Sequence, residues 1–292
     1  MKIKFLLLFL IFLTLVFTAC ENQPTEIATF NATTFVQSLI SYDSTANAHI
    51  PLRTVALCEP VLLLAIIPLY PYEQDVTEMG HTEQTRRPMV ALTFDDGPSE
   101  YTERILDALE KHGGRATFFV LGNRVERHAD TVRRAAGLES QVLGHSWNHT
   151  NFTRAHIDVV RSQILDTSEV IAYVLGSPTP PMFRAPYGAL NSNVRRLSRE
   201  LGYSIINWTL DTQDWRDRDA DAIYGRIMDS VIDGTIVLMH DVYATTMEAA
   251  ERAIASLTEQ GFQLVTVSEL IEYFEGEPKP GVEYRGIRPG ER

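Results

Sequence analysis

Apolar runs of strand length alternate with amphipathic helical segments from Met89 to about residue 274. The predicted strands lie at 89–94, 116–121, 141–144, 182–184, 203–209, 235–239 and 262–267. The predicted helices lie at 101–112, in a stretch that ends at 136, and at 156–175, 192–201, 221–232 and 246–260. Nearly continuous apolar strands that alternate with helices are typical of a parallel sheet covered by helices. The pattern therefore predicts an α/β domain over residues 88–275.

The spacing of these elements favours one of two parallel architectures. A strand and its helix recur about every 27 residues, which is close to the repeat of a (β/α) barrel. An open doubly wound sheet is the alternative, and it normally carries a glycine-rich phosphate-binding turn after its first strand. Here the first strand is followed by Asp95-Asp96-Gly97-Pro98 instead. The barrel is therefore the favoured architecture.

The first twenty residues have the pattern of an export signal. Lys2 and Lys4 precede an apolar run from Phe5 to Phe17. A basic start, a short apolar core and small residues before a cleavage point are typical of a signal peptide, here over residues 1–19. The apolar run is shorter than the roughly 20 residues that span a bilayer, and an uncleaved anchor is the alternative.

The residues around the predicted cleavage point also resemble a bacterial lipobox, Phe17-Thr18-Ala19-Cys20. This resemblance implies that Cys20 carries a lipid and that the protein is held at the extracytoplasmic face of a bacterial cell membrane. Residues 20–87 form an extension of unknown role whose polar start is typical of a tether. Residues 276–292 are rich in glycine, proline and charge, and we predict a loose tail.

The composition excludes some partners. The chain has 38 acidic and 26 basic residues, which gives a formal net charge of −12. A negative field disfavours nucleic acid and anionic membrane surfaces, so a neutral or cationic partner fits better. Only Cys20 and Cys58 are cysteines, so the sequence offers neither a disulfide framework nor a thiolate metal cluster.

Ionisable residues follow five of the predicted strands. They are Asp95 and Asp96, then His145 and His149, then Arg184, then Asp211 and Asp214, then His240 and Asp241. Each has an ordinary explanation when taken alone, such as a turn, a helix cap or a surface ion pair. In parallel α/β folds, however, the carboxyl ends of the strands meet at one edge and form the active site. Their joint occurrence therefore predicts a catalytic site.

Two histidines and one carboxylate form the ligand set of a catalytic zinc site, which leaves positions open for water and substrate. We assign Asp96, His145 and His149 to this set, since His145 and His149 share a face if their turn is helical. Neighbouring side chains on an extended strand point apart, so Asp95 is free to act as a base. His240 is a second titratable group, and a nearby carboxylate would keep it protonated as an acid.

Five ordered segments carry a family resemblance. They are Thr93-Phe94-Asp95-Asp96-Gly97-Pro98, His145-Ser146-Trp147-Asn148-His149, Arg184-Ala185-Pro186-Tyr187-Gly188, Asp211-Thr212-Gln213-Asp214-Trp215 and Leu238-Met239-His240-Asp241. With this order and spacing, the sequence resembles the NodB-type polysaccharide deacetylases of carbohydrate esterase family 4 over residues 88 to about 274. The resemblance implies a distorted (β/α)7 barrel that removes N-acetyl groups from a β-1,4-linked amino-sugar polymer.

The resemblance also implies a role for each matching residue. Asp95 would be the general base, held ionised at a low pKa by Arg184, and Asp96, His145 and His149 would bind one divalent metal ion. Asp214 would orient and charge His240, the general acid. The backbone N–H of Tyr187 would stabilise the oxyanion, Trp215 would line the groove, and Leu238 would face the acetyl methyl group. Zn²⁺ suits these ligands, and Co²⁺ or Mn²⁺ would also fit.

The export signal favours peptidoglycan N-acetylglucosamine as the substrate, because the cell wall lies beside the anchored protein. Chitin oligomers or acetylated xylan are alternatives that keep the fold and the site. A remote alternative is a non-catalytic glycan-binding lipoprotein. It would need a broken metal triad or a missing acid, and the sequence has neither.

Overall fold

The structure is a computed structural model that describes residues 86–286. The predicted signal peptide, most of the extension, the lipidation residue Cys20 and residues 287–292 lie outside the described residues, so these predictions stay predictions. Within the described range, no helix has both the length and the apolar character needed to cross a membrane.

Nine strands and nine α-helices alternate along the described part of the chain. The strands are β1 (Met89–Asp95), β2 (Thr117–Val120), β3 (Gln141–Gly144), β4 (Met182–Phe183), β5 (Ser204–Ile206), β6 (Leu210–Asp211), β7 (Thr235–His240), β8 (Gln263–Leu264) and β9 (Glu283–Tyr284). The helices are α1 (Thr102–His112), α2 (Gly122–Val125), α3 (Ala129–Gly137), α4 (Ile157–Leu175), α5 (Ser192–Leu201), α6 (Asp214–Asp217), α7 (Ala220–Ser230), α8 (Ala244–Glu259) and α9 (Val267–Glu275). Short 3₁₀ turns lie at Glu126–His128 and Pro186–Gly188.

All strand pairs are parallel, and they form one curled sheet in the order β6-β7-β1-β2-β3-β4-β5-β9, while β8 pairs with the start of β1. Between the edge strands β6 and β9 the described residues show no pairing. Only residues 207–209 separate β5 from β6, and four Cα steps of this chain reach about 14 Å at most. The predicted distorted barrel is therefore confirmed, with a narrow opening that three residues cross.

The predicted strand at 203–209 is two strands, because the chain leaves one edge of the sheet and joins the other. Ile205 and Ile206 pair with β9, whereas Leu210 and Asp211 pair with β7. A single apolar run in the sequence cannot show such a change of partner, since both halves are buried in the same barrel.

The predicted loose tail is wrong for residues 276–286. Glu283–Tyr284 form β9, and the backbone N–H of Asn207 donates to the carbonyl of Tyr284 at 2.7 Å. The Glu283 side chain accepts a hydrogen bond from the amide of Asn207, also at 2.7 Å. Sheet pairing fixes this segment in spite of its turn-rich composition, because the open edge of β5 offers unpaired backbone groups.

The core has two layers that follow from the alternation of side chains along each strand. On β1, Val90, Leu92 and Phe94 pack with the covering helices α1 and α8, whereas Ala91 belongs to the cluster inside the barrel. Every residue of β1 is buried, so both faces of the strand are covered. The inward face is the one that leads to the site at the carboxyl ends of the strands.

Candidate active site

Side-chain alternation directs the two proton-transfer candidates to the interior. Asp95 lies on the same face of β1 as Ala91, and His240 lies on the same face of β7 as Ile236, which is also in the interior cluster. The two strands pair in register, with Asp95 directly opposite His240. The structure therefore brings the predicted base and the predicted acid side by side at the end of the sheet.

Arg184 is fully buried behind Asp95. One of its terminal nitrogens donates to Asp95 Oδ1 and to the hydroxyl of Thr93, both at 2.7 Å. Its other N–H groups donate to the carbonyls of Ile206 at 3.2 Å and Asn207 at 3.1 Å, which lie where the chain crosses the opening. These contacts hold the guanidinium in place, so that Asp95 keeps one oxygen on Arg184 and its other oxygen towards the site.

The pKa of Asp95 differs from the sequence-based expectation. Burial raises the pKa of this carboxyl, and the charge and hydrogen bond of Arg184 oppose the rise without cancelling it. The expectation of a low pKa was wrong because it counted the arginine and not the removal of Asp95 from water. A carboxylate with a raised pKa is a stronger proton acceptor, which suits a general base.

Three side chains converge beside Asp95. Asp96 Oδ1 lies 3.7 Å from His145 Nε2 and 3.5 Å from His149 Nε2. The ligand atoms of the three residues all lie within 4.8 Å of one another. The structure thus joins the three residues that the sequence assigned to a metal ion.

The donor atoms of this cluster fit a divalent cation. His145 Nδ1 lies 2.9 Å from the carbonyl of Arg184 and must donate to it, which leaves the Nε2 lone pair free. Burial lowers the pKa of His145 to about 3, against the opposing charge of Asp96, so this imidazole is neutral. Asp96 Oδ1 is buried and has no hydrogen-bond partner among the described residues. A buried oxygen without a donor is costly, and a metal ion would satisfy it.

The backbone reaches this arrangement by a different route from the predicted one. Asp96 has a φ of 72° and His149 a φ of 64°, both in the left-handed region that L-residues seldom adopt. The turn of Asp96 brings its side chain to the same side as Asp95, so the two carboxylates do not point apart. His145 and His149 lie in a loop and not on a helix. Strained backbone of this kind is common at functional sites.

Asp214 holds the predicted acid. It is fully buried, and its Oδ1 lies 2.8 Å from His240 Nδ1 while its Oδ2 accepts the backbone N–H of His240 at 2.7 Å. Thr246 also donates to Oδ2, at 2.8 Å. Burial lowers the pKa of His240, but the hydrogen bond and charge of Asp214, helped by the charges of Asp95 and Asp96, outweigh burial and raise it to about 9. His240 is therefore protonated at neutral pH.

Three further predicted site residues lie next to the ligand residues or next to the Asp214–His240 pair. Tyr187 is exposed, has a φ of 64°, and its ring lies 4.5 Å from that of His149. Trp215 is exposed next to Asp214 and donates its backbone N–H to that carboxylate at 2.9 Å. Leu238 is buried on β7, two residues before His240.

Two residues that support the site, Thr246 and Asp241, had no role in the sequence-based prediction. Thr246, on α8, completes the hydrogen bonds of Asp214 and carries no motif that would reveal it. The sequence analysis named Asp241 beside His240 without a function. Its fully buried carboxylate contacts the turn after β1. Thr102 donates to it at 2.5 Å, and a Cβ added to Gly97 would lie only 2.3 Å from its oxygens. Gly97 is therefore required for the close approach of the two loops.

Comparisons with known proteins identify the family. The profile of the polysaccharide deacetylase family matches residues 82–206. A peptidoglycan N-acetylglucosamine deacetylase of Bacillus cereus is 34% identical over 189 residues, which are 63% of this chain and 68% of the relative. This chain belongs to the polysaccharide deacetylase family.

Two further similarities concern one protein of Bacillus subtilis. Its peptidoglycan N-acetylmuramic acid deacetylase PdaC is 41% identical over 192 residues, which are 65% of this polysaccharide deacetylase chain and 40% of PdaC. The solved structure of PdaC matches with a TM-score of 0.61 at 41% identity, over 64% of this chain and 91% of the solved chain. The matched part of this chain thus covers about two fifths of the full length of PdaC.

Proposed function

We propose that this protein is a metal-dependent hydrolase that removes N-acetyl groups from peptidoglycan, with N-acetylglucosamine as the sugar that is deacetylated. One observation carries the proposal. A carboxylate and a protonated histidine, Asp95 and His240, lie opposite each other beside a cluster of ligand atoms with an unsatisfied buried oxygen. Base, metal ligands and acid are the parts that hydrolysis of an unreactive amide requires.

The ligand residues define what the metal ion would contribute. Held by Asp96, His145 and His149, a zinc ion would polarise the acetyl carbonyl and lower the pKa of a nearby water. The carbonyl of Arg184 fixes the ring of His145, because it accepts the Nδ1 hydrogen. Such a partner sets both the tautomer and the orientation of a ligand histidine.

Asp95 accepts the proton of the attacking water in this proposal. Its Oδ1 is fixed by Arg184 at 2.7 Å, and its Oδ2 lies 3.6 Å from His145 Nε2, on the side of the ligand cluster. The carboxylate therefore lies within reach of a water bound between it and the ligands.

His240 donates a proton to the leaving nitrogen. An amine is a poor leaving group, so its protonation matters as much as activation of the water. With Nδ1 on Asp214, Nε2 is the nitrogen that carries the transferable proton. The backbone N–H of Tyr187 binds the developing oxyanion, Leu238 contacts the acetyl methyl group, and Trp215 lines the glycan groove.

The choice of peptidoglycan rests on two independent supports. The relatives described above are both named as peptidoglycan deacetylases. The predicted export signal also brings the enzyme to the cell wall, where lipid on Cys20 holds it at the extracytoplasmic face of the membrane. Lipid labelling of the wild-type chain and of Cys20→Ala tests this location, since only the wild type incorporates fatty acid if the anchor is correct.

Release of acetate by the full chain in the presence of zinc tests the activity. We expect turnover on peptidoglycan to exceed turnover on chitin oligomers and acetylated xylan, and chelation to remove it. Asp95→Asn will lower kcat by about a thousandfold or more, whereas Asp166→Asn, an exposed carboxylate on α4, will not change it. Full turnover in Asp95→Asn rejects the base, and glycan binding without acetate release from any polymer indicates a binding protein.

A further inference from the structure

An arginine is fixed beside the acid side of the candidate site. Arg218 directly follows α6, the short helix that begins with Asp214, and has a φ of 51°. Its Nε donates to the carbonyl of Trp215 at 3.0 Å. Its guanidinium carbon lies 3.0 Å from the centre of the Tyr243 ring, and that ring lies 6.1 Å from the ring of His240. Stacking and the hydrogen bond hold the cation one ring away from the acid.

Arg218 differs from the neighbouring arginines in having no acidic partner among the described residues. Arg216 and Arg226, from the same region, both form ion pairs with Asp217. Arg218 forms no ion pair among residues 86–286, and its side chain is exposed. The surrounding chain is acidic, with a formal net charge of −12. A cation that is fixed, exposed and unpaired next to a catalytic group is suited to bind an anion from the substrate.

We propose that Arg218 binds a carboxylate of a muramyl unit in the glycan, and thereby selects peptidoglycan over uncharged glycans. This inference rests on the proposed function. Muramyl units alternate with N-acetylglucosamine in peptidoglycan, and each carries a lactyl ether whose carboxylate is free where no stem peptide is attached. A strand held with the nitrogen of an N-acetylglucosamine at His240 therefore places a muramyl carboxylate on the adjoining sugar, and Arg218 lies one aromatic ring away from His240. Polymers of N-acetylglucosamine or of acetylated xylose contain no such group.

Planar guanidinium geometry explains why an arginine occupies this position. Arginine binds a carboxylate through two parallel N–H groups and can stack on an aromatic ring at the same time. The contact with Tyr243 covers one face of the guanidinium and leaves its edge free for a ligand. Trp215, whose carbonyl fixes Nε, is the residue proposed to line the groove.

The test compares two oligosaccharides of equal length. One is a peptidoglycan strand freed of stem peptides, with its lactyl carboxylates exposed, and the other is a chitin oligomer. In Arg218→Gln the ratio of kcat/KM for the two will shift about tenfold towards the chitin oligomer, mainly through KM, which is the effect of one lost charged contact. Arg218→Lys will keep part of the wild-type preference for the peptidoglycan strand, and the control Arg216→Gln will keep all of that preference. Higher salt will reduce the wild-type ratio.

If kcat/KM falls equally on both glycans in Arg218→Gln, the arginine only supports Tyr243. If kcat/KM changes on neither glycan, the arginine binds no carboxylate. Calorimetric binding of the same two oligosaccharides to wild type and Arg218→Gln separates this inference from the proposed activity, because it needs no turnover. A preference for the carboxylate-bearing strand that disappears in Arg218→Gln supports the subsite even if no acetate is released. Binding of strands that retain their stem peptides shows whether Arg218 also binds peptide carboxylates. Mass spectrometry of the products shows which sugar is deacetylated.

Discussion

Replacement of Asp214 by asparagine will change the pH at which the enzyme works. Asp214 Oδ1 lies 2.8 Å from His240 Nδ1, and its hydrogen bond and charge, helped by the charges of Asp95 and Asp96, overcome burial and raise the pKa of that imidazole from 6.5 to about 9. At 1.36 kcal/mol per pKa unit, this rise corresponds to roughly 3 kcal/mol in favour of the protonated acid. Without the carboxylate, burial is the main remaining influence, and the pKa of His240 will fall to 6.5 or below.

The expected loss follows from the fraction of His240 that is protonated. At pH 7.5 a pKa of about 9 leaves roughly 97% of the acid protonated, whereas a pKa of 6.5 leaves about 10%. Asp214→Asn will therefore lower kcat/KM at least about tenfold at this pH, and more if the amide also turns the ring. The basic limb of the pH profile will move from about 9 to below 7.

Acetate release measured from pH 5 to pH 10 gives this profile directly. Asp217→Asn is the matched control, because Asp217 lies on the same short helix but pairs with Arg216 and Arg226. Its basic limb will stay where the wild type has it. A basic limb that stays near 9 in Asp214→Asn would show that a group other than His240 is the acid.

Other changes test the remaining parts of the site. His149→Ala will weaken Zn²⁺ binding by about a hundredfold or more in a competition titration, and unchanged affinity would remove His149 from the ligand set. Arg184→Met will leave Asp95 buried without its partner and lower the free energy of unfolding in urea by about 3–5 kcal/mol. Adding Asp95→Asn will recover part of this loss, and no recovery would show that the two residues are not coupled. Gly97→Ala will push its Cβ into the carboxylate of Asp241, displace the turn that carries Asp96, and weaken Zn²⁺ binding. Gly97→Ala combined with Asp241→Ala will restore part of the Zn²⁺ affinity, and equal affinity in the single and double variants would contradict the clash.

The sequence predicted which residues lie together at the candidate site, because the ends of buried strands can be recognised from the pattern of apolar and polar residues. A buried strand followed at once by polar residues places those residues at one edge of a parallel sheet, and this rule found Asp95, His145 and His240. Alternation along β1 and β7 then explains why Asp95 and His240 face inwards. The family resemblance added the pairing of Arg184 with Asp95, which the structure shows at 2.7 Å.

The parts that the sequence did not predict depend on distant segments or on unusual backbone. The left-handed turn of Asp96 overrides the rule that neighbouring side chains point apart. The pKa of Asp95 depends on how completely several strands exclude water from it, which no local pattern reports. Thr246 reaches Asp214 from a helix that carries no motif.

The two-residue strand β9 determines where the protein can be shortened. Glu283 accepts a hydrogen bond from the side chain of Asn207, the carbonyl of Asn207 accepts one from Arg184, and Arg184 contacts Asp95, so the C-terminal segment is connected to Asp95. A fragment that stops at residue 275, where the predicted domain ends, would strip the outer edge of β5 and free the backbone N–H groups of Ile205 and Asn207. Uncapped edges of this kind recruit strands from neighbouring molecules. Recombinant versions and C-terminal fusions should therefore retain residues up to 286, so that the edge of β5 stays covered and Arg184 keeps its contact with Asp95.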